Sequence, residues 1–152
     1  MEATLRQSLS SEFFSLIERL SDTLSREDAR LAGRFELTRG ELRCLRALLN
    51  GEQHLVGRLT KELEMNASQL SRVLDRLEDR DLIARSLDKK DRRNVDVVLR
   101  DQGLALAKES EEIFDSIIGS LDTERIEESV NLLKSVIQMI EEKTNMLQKS
   151  RS

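Results

Sequence analysis

The sequence predicts a mainly α-helical fold with one small β-hairpin. Helix is favoured because the 152 residues include no proline and only six glycines, so few positions break a helix. Aromatic residues make up 3% of the chain, which is few for a β-sandwich. The spacing of apolar residues changes from the helical period to that of strands in residues 82–100. One domain over residues 1–152 fits this length.

Two helices are predicted in the first third of the chain. In the first, apolar residues recur three or four positions apart from near the start, and Gly33 indicates a break. The second begins at a capping box, in which Thr38 and Glu41 exchange hydrogen bonds between side chain and backbone. It is expected to end at the Asn-Gly pair of residues 50–51, because glycine closes helices in the left-handed conformation.

Two shorter helical patterns follow, at residues 55–63 and 70–77, with an interruption at residues 64–66. Asn66 is predicted to cap the second of these helices, with Gln69 at its third helical position. Two short amphipathic helices joined by a turn of this length form a helix-turn-helix. Such pairs also occur in proteins that do not bind DNA.

A predicted hairpin comes directly after the helix pair. LIARSL (82–87) and VDVVLR (95–100) are expected to be its strands, and the charged stretch DKKDRRN (88–94) its loop. A helix pair followed at once by a hairpin is the winged form of the motif, which is more specific than the pair alone. Residues 37–100 are therefore the predicted winged helix-turn-helix lobe.

Two further helices are predicted after the hairpin, and Asp101 is expected to cap the first. The second carries a heptad seam with alternating steps of four and three. Its members are Ile126, Val130, Leu133, Ile137, Ile140, Thr144 and Leu147. We expect residues 1–36 and 101–152 to form the interface of a homodimer. Packing of the seam within one subunit is the alternative.

Charge and cysteine content narrow the class of protein. The net charge is −4, yet Lys and Arg outnumber Asp and Glu by two within residues 55–100. Positive charge localised on one segment is what attraction to phosphate requires. One cysteine cannot form an internal disulfide, and no apolar run approaches the roughly 20 residues of a membrane span. The first residues lack a secretory signal pattern, so a cytoplasmic protein without a membrane partner is expected.

Residues 67–103 read ASQLSRVLDRLEDRDLIARSLDKKDRRNVDVVLRDQG. This stretch resembles the recognition helix, wing and following glycine of the multiple-antibiotic-resistance regulator (MarR) family, and the order of elements is similar over nearly the whole chain. The resemblance implies a DNA-binding transcription regulator, more often a repressor, that responds to a small-molecule effector. The family often has proline near the start of its recognition helix, glycine at the position of Asp81 and threonine at that of Arg100. We expect Asp81 to adopt the left-handed conformation instead.

The recognition helix is predicted to bury its leucines and to turn its polar residues outward. The expected DNA-binding residues on it are Ser68, Gln69, Ser71, Arg72 and Arg76. Gln69 is suited to a two-point contact with adenine and Arg72 to one with guanine, while the two serines can reach a base or a phosphate. A solvated helix surface is the alternative interpretation.

The predicted wing loop supplies both cations and carboxylates. Arg92 and Arg93 are expected to contact phosphates or enter the minor groove, and the resemblance favours Arg93 as the groove residue. Asp88 and Asp91 are interpreted as organisers of the loop, because a carboxylate can hold an arginine in place but repels phosphate. An ordinary exposed charge run is the alternative.

Two copies related by a two-fold axis are expected to bind a pseudo-palindromic operator in double-stranded DNA. The resemblance suggests an effector site between the dimer helices and the DNA-reading lobe. Candidate lining residues are Leu16, Leu20, Phe35 and Leu45, although core packing explains them equally well. The competing class is a winged-helix module that binds protein and has no DNA function.

No enzymatic activity, metal or cofactor is expected. His54 is the single histidine and lacks partners for a zinc site. Cys44 lies among leucines, which favours burial as a small hydrophobic side chain over redox sensing.

Overall fold

The computed structural model describes residues 2–49, 55–87 and 95–149. The helices within these ranges are α1 (Glu2–Arg34), α2 (Arg39–Leu49), α3 (Val56–Glu62), α4 (Ala67–Asp79), α5 (Asp101–Ile118) and α6 (Thr123–Lys149). Strands β1 (Ile83–Leu87) and β2 (Val95–Leu99) form one antiparallel hairpin. The predicted fold class, mainly helical with a winged helix-turn-helix, is confirmed.

The chain divides into two compact units, residues 1–111 and residues 112–152, and the boundary lies inside α5. The single domain expected over residues 1–152 stays a prediction. Over the three described ranges, none of the helices has the length and hydropathy needed to cross a membrane.

Apolar side chains of α2, α3, α4 and the hairpin build the core of the first unit. In α4, Leu70, Leu74 and Leu77 are four and three positions apart, so they share one face, and each is at most 1% exposed. The other almost fully buried side chains of this core include Leu42, Cys44, Leu45, Leu59, Leu82, Ile83 and Val97. Burying a leucine contributes about 1.5–3 kcal/mol. The core therefore fixes which face of α4 remains outside.

The start of α2 has the predicted capping box. The Thr38 backbone N–H donates to Glu41 Oε2 over 2.7 Å, and the Glu41 backbone N–H donates to Thr38 Oγ1 over 3.3 Å. Leu37 and Leu42 flank the box and are both buried, as a hydrophobic staple requires. The Glu41 carboxylate is itself buried. Its hydrogen bond from the Thr38 N–H helps to offset the cost of that burial and gives a partner to a helix-start amide.

Helices α1, α3 and α4 end in the same way, with an acidic residue in the left-handed conformation. Glu36, Glu64 and Asp81 have φ of 55°, 53° and 59°. In each case the next residue donates its N–H to the carbonyl five positions earlier, which is the Schellman arrangement. The expected conformation of Asp81 is confirmed, and its carboxylate lies 3.0 Å from Arg100 Nη1. A left-handed residue other than glycine costs about 1–2 kcal/mol.

The hairpin is held against the start of α5 by a close backbone approach. A Cβ on Gly103 would lie 2.0 Å from the Leu82 carbonyl oxygen, which also accepts a hydrogen bond from the Arg100 backbone N–H over 3.0 Å. The prediction that Asp101 caps α5 is wrong. Asp101 is the first residue of the helix, and the Arg100 carbonyl accepts the first helical hydrogen bond, from Leu104. From the first turn, the negative charge of the Asp101 carboxylate still interacts favourably with the helix dipole.

Both long helices carry exposed apolar residues. On α1, Leu5, Leu9, Leu16, Leu20 and Leu24 are 43–62% exposed. In the second unit, the α6 seam residues Val130, Leu133, Ile137, Ile140 and Leu147 are 39–65% exposed. Exposed apolar residues at helical spacing along one helix are typical of an interaction surface.

Candidate nucleic-acid interface

The side of α4 opposite the core carries the predicted DNA-binding residues of this helix. Ser68, Gln69, Ser71, Arg72 and Arg76 are all exposed. The buried leucines hold this face outward, and the Asn66 cap fixes where the helix begins. We call Ser68, Gln69, Ser71 and Arg72 the reading face, since they lie in the first two turns of α4.

Gln69 belongs both to the capping box of α4 and to the reading face. Asn66 Oδ1 accepts a hydrogen bond from the Gln69 backbone N–H over 2.8 Å, and Gln69 Oε1 accepts one from the Asn66 backbone N–H over 3.1 Å. The predicted cap is thereby confirmed as a complete capping box. The expected two-point contact of Gln69 with adenine requires both amide atoms, and one of them is already used in the fold.

The two arginines of α4 have different surroundings. Arg72 forms no salt bridge with any other residue that the structure describes. Arg76 Nη1 lies 3.6 Å from Oε1 of Glu41, the buried carboxylate that caps α2. Arg76 therefore links α4 to the start of α2, and a contact with DNA would compete with that link.

Arg85 on β1 joins the wing to α4. Its Nε donates to Glu78 Oε2 over 2.8 Å, and its Nη2 lies 2.8 Å from Asp75 Oδ1. The Arg85 backbone N–H also donates to Glu78 Oε1 over 3.1 Å. These hydrogen bonds from Arg85 lower the pKa of the Glu78 carboxyl. The base of the hairpin is therefore fixed relative to the outer side of α4.

Arg80 joins the end of α4 to the end of α1. Its Nη1 donates to the Glu36 carbonyl over 2.6 Å and its Nη2 to the Phe35 carbonyl over 3.3 Å. These carbonyls follow the last turn of α1, where positive charge is favourable. The guanidinium lies beside an open cleft of about 450 Å³ between this turn and α4.

The sequence reasoning missed Arg80 and Arg85 as positioning residues. For Arg85 a signal was present, because β1 alternation puts it on the same face as buried Ile83, towards α4. Asp75 and Glu78, three positions apart on α4, then offer two carboxylates to one guanidinium. No local pattern links Arg80 to residues 35 and 36.

The hairpin loop lies outside the described residues. Asp88, Asp91, Arg92 and Arg93 fall in residues 88–94, so their roles in DNA contact and loop organisation stay predictions. His54 also lies outside them.

The candidate effector-site residues have unlike environments. Leu16 and Leu20 are exposed on α1, Phe35 is half-buried, and Leu45 is completely buried in the core. Leu45 therefore serves the core packing that was the alternative interpretation. The effector site itself stays a prediction.

Cys44 is completely buried, as expected. Burial raises the pKa of its thiol to about 12, so the thiol is protonated at neutral pH. Across residues 2–49, 55–87 and 95–149, no three side chains of the His, Cys, Asp or Glu type are arranged to hold a metal ion.

The MarR family model matches residues 37–95, the range that contains α2, α3, α4 and the hairpin up to the first residue of β2. Comparison with curated proteins found no significant match. Several solved structures share the fold. MepR of Staphylococcus aureus in a DNA-binding conformation is 21% identical, with 84% of this chain and 98% of that chain covered and a TM-score of 0.73.

Two further solved structures have a similar fold. FabT of Streptococcus pneumoniae in complex with DNA is 22% identical, with 84% of this chain and 94% of that chain covered and a TM-score of 0.67. A point mutant of MarR from E. coli is 21% identical, with 81% and 96% covered and a TM-score of 0.64. Residues 37–95 therefore match the MarR family model, and the fold of the chain is similar to that of these solved structures.

Proposed function

We propose that the protein is a transcription regulator that binds double-stranded DNA sequence-specifically as a homodimer. The reading face carries the proposal, because it is an exposed polar row at the start of the second helix of a helix-turn-helix. Similarity to MepR in a DNA-binding conformation and to FabT in complex with DNA supports the same conclusion.

The residues of the reading face have the chemistry that base recognition needs. Arg72 can donate to O6 and N7 of guanine, and it has no carboxylate partner within the described chain that would have to be displaced first. Ser68 and Ser71 lie beside it and can donate to a base or a phosphate. Arg76, which contacts Glu41, is the weakest of the proposed contacts.

A second copy of the chain is the proposed partner of the exposed apolar residues on α1 and α6. Their exposure in one chain would leave large apolar side chains in water, which association removes. A two-fold dimer presents two reading faces to a pseudo-palindromic site with half-sites about one helical turn apart. Sedimentation analysis of the purified protein should give a dimer, and a stable monomer would contradict this part of the proposal.

A salt titration of DNA affinity tests the proposal. Because cations on the protein release counterions from phosphates, affinity for a selected duplex should fall steeply as salt rises. Arg72→Ala should relax base preference, while Arg93→Ala should weaken binding to all sequences alike. Arg30→Ala is the control for overall charge, since it removes one positive charge from an exposed side chain of α1 that pairs with Glu27 and lies outside the reading face. Equal affinity of all variants for every duplex would contradict specific recognition.

Regulation by a ligand, repression and a cytoplasmic location are the finer parts of the proposal. A ligand can shift the equilibrium between two dimer geometries only by binding one of them more tightly. The cleft beside Arg80 is the surface through which such a change would reach α4, because Arg80 joins the end of α4 to the end of α1. A winged-helix module that binds protein alone would instead show no duplex binding at low salt. Turnover of a small substrate, lost on changing Cys44 or His54, would indicate an enzyme.

A further inference from the structure

The side-chain amide of Gln69 is divided between the fold and the reading face. Its Oε1 lies 3.1 Å from the Asn66 backbone nitrogen and closes the capping box. Its Nε2 donates to no residue that the structure describes, and the side chain is exposed. The part of the amide that is still available to a partner outside the protein is therefore a hydrogen-bond donor.

We propose that Gln69 determines specificity by donating to an acceptor on one base of one strand in the major groove, and so excludes cytosine as that base in each half-site. This inference rests on the proposed DNA-binding function. Guanine, adenine and thymine all present acceptors in the groove, whereas cytosine presents only its amino donor. Gln69 then separates cytosine from the other three bases and does not select adenine alone.

The capping box makes the donor role the favourable one. A two-point contact with adenine places both amide atoms on the same base edge. Oε1 would have to leave the Asn66 N–H, and a backbone donor at the helix start would lose its partner. Donation from Nε2 alone keeps both hydrogen bonds of the box and adds a third.

Gln69→Glu replaces the available donor of the side chain with an acceptor and keeps the capping box. Glutamate is an ordinary partner in a capping box, so one carboxylate oxygen can still accept from the Asn66 N–H. The other oxygen then accepts, where the Gln69 amide donated. Cytosine and adenine offer amino groups to it, and cytosine changes from the excluded base to a favoured one.

Asn66→Asp is the matched control for charge. It adds the same negative charge at the same helix start, and aspartate is an equally good N-cap that accepts from the Gln69 N–H. The Gln69 amide is retained in this variant. Any general repulsion of phosphate is therefore common to both variants, whereas the base preference is not.

The experiment selects bound duplexes from a random-sequence library with full-length wild type, Gln69→Glu, Asn66→Asp and Gln69→Ala. Wild type and Asn66→Asp should disfavour cytosine about tenfold at one position of each half-site. Gln69→Glu should select cytosine or adenine there, and Gln69→Ala should lose the preference. Thermal unfolding of each variant shows whether it is folded, and the glutamate and aspartate variants decide the question if Gln69→Ala is not.

Two results would overturn the inference while leaving the proposed function intact. One is selection of adenine alone by wild type at the position that responds to Gln69. The other is a Gln69→Glu variant that selects the same bases as wild type at every position. Recovery of no preferred sequence by wild type would overturn the proposed function, and the inference with it.

Discussion

Gly103→Ala should strongly destabilise the protein, because the new methyl group would collide with backbone. The added Cβ would lie 2.0 Å from the Leu82 carbonyl oxygen and 2.9 Å from its carbon. An ordinary carbon–oxygen contact is about 3.3 Å or more, so α5 or the hairpin would have to move by roughly 1 Å. That movement also stretches the hydrogen bond from the Arg100 N–H to the same oxygen.

The size of the effect follows from three contributions. Overpacking a tight site costs about 1–3 kcal/mol, and a lost backbone hydrogen bond adds about 1 kcal/mol. The higher helix propensity of alanine offsets up to about 1 kcal/mol. We expect a net loss of about 2–3 kcal/mol in the free energy of unfolding, or roughly 5–10 °C in melting temperature.

Urea unfolding followed by circular dichroism measures this loss at one fixed protein concentration, since association would affect apparent stability. Gly33→Ala is the control, because a Cβ there meets no atom within 4 Å and α1 gains helix propensity. It should be neutral or more stable by up to about 1 kcal/mol. A Gly103→Ala variant within about 0.5 kcal/mol of wild type would refute the close approach.

Three further outcomes are expected. Glu64→Gly should raise the free energy of unfolding by up to about 1 kcal/mol in urea titrations, because glycine adopts the left-handed φ of 53° without strain; an unchanged value would contradict that. Since Arg85 lowers the pKa of Glu78, this carboxylate stabilises the fold above its unfolded pKa and stops doing so as pH falls through its lower folded pKa. Glu78→Gln should therefore be less stable than wild type near pH 6 and lose that difference as pH falls through the lowered folded pKa of Glu78, and a constant difference would disprove the pairing. Cys44, with its pKa raised to about 12, should react with a thiol reagent near pH 8 only when urea unfolds the chain, and rapid reaction of the folded protein would argue against burial.

Local sequence signals correctly predicted the helices and strands and the exposure of the polar residues of α4. Two capping boxes, each a helix start read from residues three positions apart, have the expected hydrogen bonds at Thr38 and Asn66. The spacing of α4 leucines placed its polar residues outside, since a helix that buries one face must expose the other. The change from helical to strand periodicity likewise placed the hairpin.

Contacts between distant parts of the chain could not be read from such patterns. The bonds from Arg80 to the end of α1 span 44 and 45 residues, and no periodicity relates those positions. Composition gave no sign of the left-handed Glu36 and Glu64 either, because glycine is the usual residue there. Arg76 was assigned to DNA from its exposure on α4, and its partner Glu41 lies on another helix.

The two atoms of the Gln69 amide have different roles, which the sequence could not predict. The same residue was predicted both to complete the cap and to contact adenine, and each expectation was sound alone. Only the position of Oε1, 3.1 Å from the Asn66 nitrogen, shows that the two uses compete. Specificity depends on which atoms remain available, and residue identity does not give that.

Coupling between Arg72 and a single guanine tests the proposed DNA recognition most directly. Affinities of wild type and Arg72→Ala are measured by fluorescence anisotropy for a selected operator and for the same duplex with that guanine replaced, which completes a double-mutant cycle. If Arg72 contacts this guanine, replacing the guanine lowers the DNA affinity of wild type about tenfold or more and leaves that of Arg72→Ala nearly unchanged. Equal losses for both proteins at every guanine of the operator would contradict base recognition by the reading face.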